Sequence, residues 1–367
     1  MFVLILFAAL TLSAQRAKPA FDPDTKEGLL IQHIQQESDR VEKLRYMEQF
    51  AAQFPSHPAI AWVYDQLQPA LFETKEYDAA LHIGTLRLLL EPDNLEAAKI
   101  ALRAAEALRK PDPMVQWADT VWRLASAVAA KGGPGAAEAP ASENYADFCA
   151  YTAAEQIADP KGRLAVLEQI EHRNPSSNFL RNVAVEYYQI YHQLGDEEKA
   201  SAMAQRALVT DPENVEMLLA LAGYQFHKSS PRSRQDALAN SAKAVEILQT
   251  KSRPPMWTDE DWEKKKSQML GLGYYLGGMS ASMLNNFVKA DAMLRGALPL
   301  LKENEAQEAA VLYHLGMANY RLAEAGNDRS RPVDAIRFLR RCAAMKGPFQ
   351  EQAAKYVESI RSEYSLP

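Results

Sequence analysis

Residues 187–214 read YYQIYHQLGDEEKASAMAQRALVTDPEN. Three tyrosines, Tyr187, Tyr188 and Tyr191, precede Leu194-Gly195-Asp196, and glycine there ends a helix because it adopts the left-handed backbone at no steric cost. A second helix follows, with small residues at Ala200, Ala204 and Ala207, the four- and three-residue steps of one helix face. It stops at Asp211-Pro212, where proline cannot continue the hydrogen-bond ladder. The segment is one helix–turn–helix unit.

Weaker copies run along the chain. Pro55, Pro92, Pro175, Pro212 and, less cleanly, Pro348 each follow a predicted second helix. Pro175 and Pro212 stand 37 residues apart (212 − 175), and Pro55 and Pro92 likewise (92 − 55). Sustained strand alternation is absent, so the reading is all-α. Eight hairpins are predicted over 24–55, 59–92, 95–131, 143–175, 178–212, 215–250, 266–302 and 306–347. A last helix over 349–363 carries Arg, Glu and Lys on one face, the polar cap that an open array needs. Two inserts interrupt the pattern. Residues 132–142 (GGPGAAEAPAS) predict a mobile surface loop, and 251–265 an insert in which Thr258 with Asp261 forms a helix-opening cap. The expected parts are a leader over 1–17, N-terminal hairpins over 24–131, the loop, central hairpins over 143–250, the insert, and C-terminal hairpins with the cap over 266–367.

The pattern resembles the tetratricopeptide repeat family. The fifth unit carries it best, with Tyr187, Tyr188, Gly195, Ala200, Ala204, Ala207 and Pro212. The second keeps Tyr77, Ala80 and Pro92; the seventh keeps Leu276-Gly277, Phe287, Ala290 and Ala297; the eighth keeps Leu315-Gly316, Tyr320 and Ala335. The first, third and fourth units support paired helices only. The resemblance implies a right-handed superhelical solenoid of about eight hairpins with a C-terminal capping helix. It also implies a role in holding other proteins without catalysis.

Composition fits this reading. The chain of 367 residues is 47% hydrophobic and 24% charged, and its net charge of −6 makes nucleic acid or anionic lipid a poor partner. The longest basic run, Lys264-Lys265-Lys266, follows Asp259, Glu260, Asp261 and Glu263, which reads as a mixed-charge solvated helix face. Cys149 and Cys342 fall in different repeats and read as small core residues rather than nucleophiles. At the N-terminus, residues 2–14 (FVLILFAALTLSA) are too short to span a bilayer and fit the core of a signal peptide. Cleavage is expected after Ala14 or Ala17. No Lys or Arg precedes the run, as a weak signal or a misplaced start codon would give. The expectation is export, periplasmic or secreted, over a buried N-terminal helix in a cytoplasmic protein.

Catalytic and metal motifs do not emerge. No two of the seven histidines stand four apart on one helix, and none has a Glu three residues before it. Gly278-Met279-Ser280-Ala281-Ser282 is one residue short of a nucleophile elbow and lacks a preceding strand. Catalytic residues, metal and small-molecule cofactor are therefore expected to be absent. One constellation stands out. In the resembled fold the first helix of each hairpin lines a groove, and there the last two hairpins would carry Tyr275, Met279 and Met283, then Tyr313, Met317 and Tyr320. Tyrosine and methionine suit a surface that grips a peptide, and the same stripe equally suits packing of adjacent first helices. The fifth hairpin would offer Asn182, Gln189 and His192 to a peptide backbone. The partners expected are proteins or peptides in the cell envelope, with a fixed place in a membrane-associated complex, held through a protein subunit, as the alternative.

Overall fold

A computed structural model describes residues 16–301, 304–326 and 328–366, so the predicted leader lies, but for its last two residues, outside the described residues. Every regular element among them is helical. The chain divides into two compact bodies, one ending at Arg181 and one beginning at Asn182. The first contains α1 (Lys26–Gln36), α2 (Arg40–Gln53), α3 (Ile60–Glu73), α4 (Tyr77–Leu90), α5 (Leu95–Leu108), α6 (Pro111–Lys131), α7 (Ala139–Gln156) and α8 (Pro160–Arg173). The second contains α9 (Val183–Gln193), α10 (Glu197–Thr210), α11 (Val215–Phe226), α12 (Pro231–Thr250), α13 (Asp259–Met283), α14 (Phe287–Ala297), α15 (Glu305–Ala325), α16 (Ser330–Ala343) and α17 (Gln350–Glu363).

Within each body, helices pack on their neighbours in sequence, and first helices also touch first helices: α3 meets α5, α5 meets α7, α11 meets α13, and α13 meets α15. That contact pattern is what stacked hairpins require. The turns inside the hairpins repeat one backbone device. Lys75, Arg109, Gly195 and Asn285 all have positive φ, at 66°, 52°, 74° and 59°. The amide of the following residue then bonds a carbonyl five residues back: Glu76 to Leu71, Lys110 to Ala105, Asp196 to Tyr191 and Asn286 to Ala281. This closes the first helix and aims the chain into the second. Lys75 and Arg109 are 34 residues apart (109 − 75), the repeat period itself. Between hairpins, Pro92 and Pro212 end one helix, and Asn94 and Asn214 cap the next by accepting from the amides of Ala97 and Met217.

Small residues set how closely paired helices approach. Ala80, Ala204, Ala290 and Ala335 are all fully buried. At Gly316 a Cβ would stand 2.4 Å from the Leu339 side chain, and at Gly278 one would stand 2.5 Å from Leu294. Long buried side chains fill the remainder, Ile31, Phe50 and Leu67 in the first body and Leu248, Leu294 and Leu312 in the second. The capping helix α17 turns Ala353, Val357 and Ile360 inward and leaves its polar residues out, as the sequence implied.

Three boundaries differ from expectation. The loop expected over 132–142 ends at Glu138, because α7 starts at Ala139 and buries Ala139 and Ser142. Pro140 is compatible with this, since the first helical turn has no use for its missing amide donor. Extensive packing of α6 on α7 also keeps the two helices flanking that loop within one body. The insert expected over 251–265 ends at the Thr258 cap, after which α13 runs for 25 residues and buries Trp262 beside Trp257. The fifth hairpin, expected from Asn178, begins at α9, and Asn178–Leu180 is a separate single 3-10 turn.

Ala204 shares a buried cluster with Ala184 of α9 and Met217 of α11. Replacing Ala204 with Leu should overpack that junction and cost about 1–3 kcal/mol. Chemical denaturation of the variant against the parent checks this, and an unchanged midpoint would place the face elsewhere.

Candidate functional site

The Tyr/Met stripe is divided by burial. Met279 and Tyr313 belong to the buried core of the second body, Tyr275, Met317 and Tyr320 pack half-buried against it, and Met283 is exposed. The cause is α17. Tyr313 stacks on Phe349 with ring centroids 4.8 Å apart and meets the edge of Tyr356 at 6.4 Å. Tyr320 donates to Glu363 at 2.8 Å and lies beside Tyr356 at 6.3 Å. Tyr275 rests against Phe226 at 6.3 Å. Of the two readings the sequence left for the stripe, interhelix packing holds for most of it: Tyr313 and Tyr320 hold the capping helix, and Met279 fills the core. Next to Tyr313, His314 bonds Ser282 at 2.8 Å, and burial lowers its pKa to about 4.

Asn182, Gln189 and His192 are exposed on and beside α9. Asn182 is the N-cap of α9 without a side-chain capping bond. His192 stacks on Tyr188 at 5.7 Å and lies 2.8 Å from Glu197. Gln189 and His192, three positions apart, share one side of α9, and Asn182 stands at its start.

A feature that sequence reading passed over lies on the second helices of the last two hairpins. A cleft of about 700 Å³ is lined by Arg295 of α14, Leu298 and Pro299 of the 3-10 turn that follows it, Glu308 from α15, and Arg337, Phe338 and Arg341 from α16. It is assembled on a buried polar cluster. Asn319 of α15, fully buried, donates to Asp291 at 2.7 Å and to the Leu315 carbonyl at 2.9 Å, and accepts from Arg331 at 2.9 Å. Asp291 also accepts from Arg295 at 2.8 Å and from Arg331 at 2.9 Å. Arg295 reaches on to Asp334 at 2.6 Å, which pairs with Arg337 at 3.0 Å, while Arg341 pairs with Glu308 at 2.9 Å. Burial by itself lowers the pKa of Arg295, and its bonds to Asp334 and Asp291 more than offset this, so the net shift is upward and the guanidinium stays charged. Arg295 and Arg337 lie over the Phe338 ring at 5.0 Å and 4.8 Å. The signal available in the sequence was the spacing of Arg337, Arg340 and Arg341 on one predicted helix. Arg295 is 42 residues away (337 − 295) and joins them only through the fold.

In the first body a smaller cleft of about 300 Å³ lies between α4 and α6, lined by Thr85, Leu88, Leu89, Gln116, Trp117 and Thr120. Leu89 and Leu90 are exposed beside it. Both cysteines are buried, and burial pushes the Cys149 thiol up to about 12 and that of Cys342 up to about 11, which keeps them protonated. Among the described residues, no group of three His, Cys, Asp or Glu is placed to hold a metal ion.

No protein-family model and no curated protein matches the chain. Among solved structures it is similar to a tetratricopeptide repeat protein from Parabacteroides merdae ATCC 43184, at 14% identity over 80% of this chain and 98% of that one, with a TM-score of 0.28. It is also similar to the APC/C hetero-tetramer Cut9-Hcn1, at 15% identity over 88% of this chain and 53% of that one, TM-score 0.33. A third is the P58(IPK) TPR domain, at 13% identity over 92% and 87%, TM-score 0.27.

Two outcomes separate packing from binding around the stripe. Tyr313→Ser should lower stability by about 3 kcal/mol, because it removes a buried ring stacked on the cap, whereas Met283→Ser should change it by less than about 0.5 kcal/mol. Denaturation midpoints of the two variants are the check. The second outcome concerns pH. Neutral His314 has a folded pKa below its unfolded value of about 6.5, so the unfolded chain binds the extra proton and stability falls as pH drops through about 6.5 toward about 4. Between pH 7 and pH 4.5 the parent should lose about 2 kcal/mol more than a His314→Gln variant. Parallel pH–stability curves would refute this.

Proposed function

We propose that this chain is a scaffold that binds another protein through preformed helical surfaces, without chemistry of its own, in the cell envelope. The observation that carries the reading is the arginine-lined cleft of the second body. It is open and mixed polar and apolar, and a buried hydrogen-bonded cluster holds it in place, which limits the ordering cost of binding. Hairpin stacking supports the same reading, because it holds such side chains on rigid elements. The polar row of Asn182, Gln189 and His192 offers a second contact region for an extended peptide backbone. Envelope location rests on the apolar run at 2–14 with small residues at its end.

The exposed Leu89 and Leu90 beside the α4–α6 cleft favour one alternative, a fixed subunit of a membrane-associated complex, since exposed apolar side chains grouped at one place mark contact sites. In-cell photocrosslinking tests both readings. A photoreactive residue at Arg337 or Leu89 of the full chain, expressed in its own host, should give adducts of discrete protein mass in the envelope fraction. Adducts from Leu89 in a complex that survives purification select the subunit reading. Absence of adducts at both positions overturns protein binding, and N-terminal sequencing that finds Met1 intact on cytoplasmic protein overturns export.

A further inference from the structure

We infer that the cleft formed by Arg295, Arg337, Arg341, Leu298, Pro299 and Phe338 takes an acidic segment of a protein partner, one that alternates Asp or Glu with apolar residues. The inference rests on the protein-binding reading and specifies its chemistry. The argument begins with how charge is distributed in depth. The carboxylates of the cluster are withdrawn, with side-chain exposures of 12% for Asp291, 24% for Asp334 and 21% for Glu308. The guanidinium groups stand outside them, at 36% for Arg295, 58% for Arg337 and 52% for Arg341. An incoming group therefore meets cations first. Counting Arg331 at the base and its partner Asp328, the network holds four arginines and four carboxylates, but the charged side chains that line the cleft are three arginines and one carboxylate, Glu308.

Donor capacity remains beyond the internal pairs. A guanidinium has five N–H donors in a planar fork, and a carboxylate uses at most two of them. The internal acids hold the forks in position without occupying all their donors, so a second carboxylate meets a preorganised partner. Leu298 and Pro299 at one wall give apolar contact between the charged positions.

The same geometry disfavours nucleic acid. Phe338 is buried and covered by two guanidinium groups, so it offers no stacking face to a base. Three arginines at the lining, balanced by carboxylates beneath, suit a few carboxylates rather than a run of phosphates.

Fluorescence anisotropy with synthetic peptides tests the assignment on the full chain. The probe is a labelled twelve-residue peptide alternating Glu with Leu and Phe, compared with the same peptide carrying Gln or Lys in place of Glu. The Glu peptide should bind, and its affinity should fall as salt is raised from 50 to 300 mM. The Gln peptide should bind at least about tenfold more weakly, and the Lys peptide should not bind. The double variant Arg337→Gln, Arg341→Gln should weaken the Glu peptide by about tenfold or more, with melting temperature measured on the same sample. If that variant melts early, Arg337→Gln alone, whose partner Asp334 keeps Arg295, serves instead. Equal binding of Glu and Gln peptides, undiminished binding to a folded variant, or displacement of the Glu peptide by an equimolar single-stranded oligonucleotide each overturns the acidic-segment assignment. Crosslinked adducts in the host together with no Glu-peptide binding overturn this assignment alone. Absence of adducts overturns the scaffold reading whatever the peptide does.

Discussion

Two helices can lie close together only where neither presents a bulky side chain at their crossing. The rest of this structure depends on that constraint. Ala80, Ala204, Ala290 and Ala335 satisfy it at the hairpin cores, and Gly278 and Gly316 do so where even a methyl group would strike Leu294 or Leu339. Close approach brings the backbones of paired helices into fixed register, and the left-handed turn residues Lys75, Arg109, Gly195 and Asn285 join them with little spare chain. Once hairpins have this form, stacking is nearly forced, because each one leaves an apolar face that only a neighbour can cover. After α16 the face of the last hairpin is covered by α17, which turns Ala353, Val357 and Ile360 onto it.

Polar groups tie the stacked helices where apolar contact alone would let them slide. Gln68 donates to the carbonyls of Ala80 and Ala97 and accepts from Arg87, linking α3, α4 and α5. Asn319 does the same for α14, α15 and the start of α16. Asp147, fully buried on α7, is held by Arg173 and Asn174 at the end of α8. A buried amide or carboxylate costs free energy unless every partner is in place, so such clusters specify one arrangement over its neighbours. In the second body the cluster has a further consequence. Asp291, Asp334 and Glu308 lie inside and Arg295, Arg337 and Arg341 outside, so satisfying buried charge creates a cleft lined mainly by arginines at the surface.

Much of this architecture was legible in the chain. Proline and asparagine at Pro92-Asp93-Asn94 and Pro212-Glu213-Asn214 mark where one helix stops and the next is capped, because a missing amide donor and a side-chain acceptor act locally. Alanine spacing at 200, 204 and 207 fixes which face of α10 turns inward. The first turn of α7 was less legible, whereas the Thr258 cap that opens α13 was read from the chain. Ala139-Pro140-Ala141-Ser142 has loop composition yet is helical, since burial of Ala139 and Ser142 against the body outweighs weak local preference. The turn at Arg109 was invisible for a similar reason, since nothing about arginine announces a left-handed backbone.

Sequence alone determined the all-α hairpins, their approximate limits, the capping helix and the core role of both cysteines, because helix periodicity and chain breakers act over a few residues. It also placed Tyr275, Met279, Tyr313, Met317 and Tyr320 on stripes, but a stripe is equally a groove lining or a packing seam. Only the tertiary structure decided between these, by setting Phe349 and Tyr356 of the C-terminal segment against Tyr313. It alone also brought Arg295 to Arg337 and Arg341 and drew their carboxylate partners inward. Exposure and proximity between residues tens of positions apart depend on how successive hairpins stack, and no local pattern in the chain encodes that.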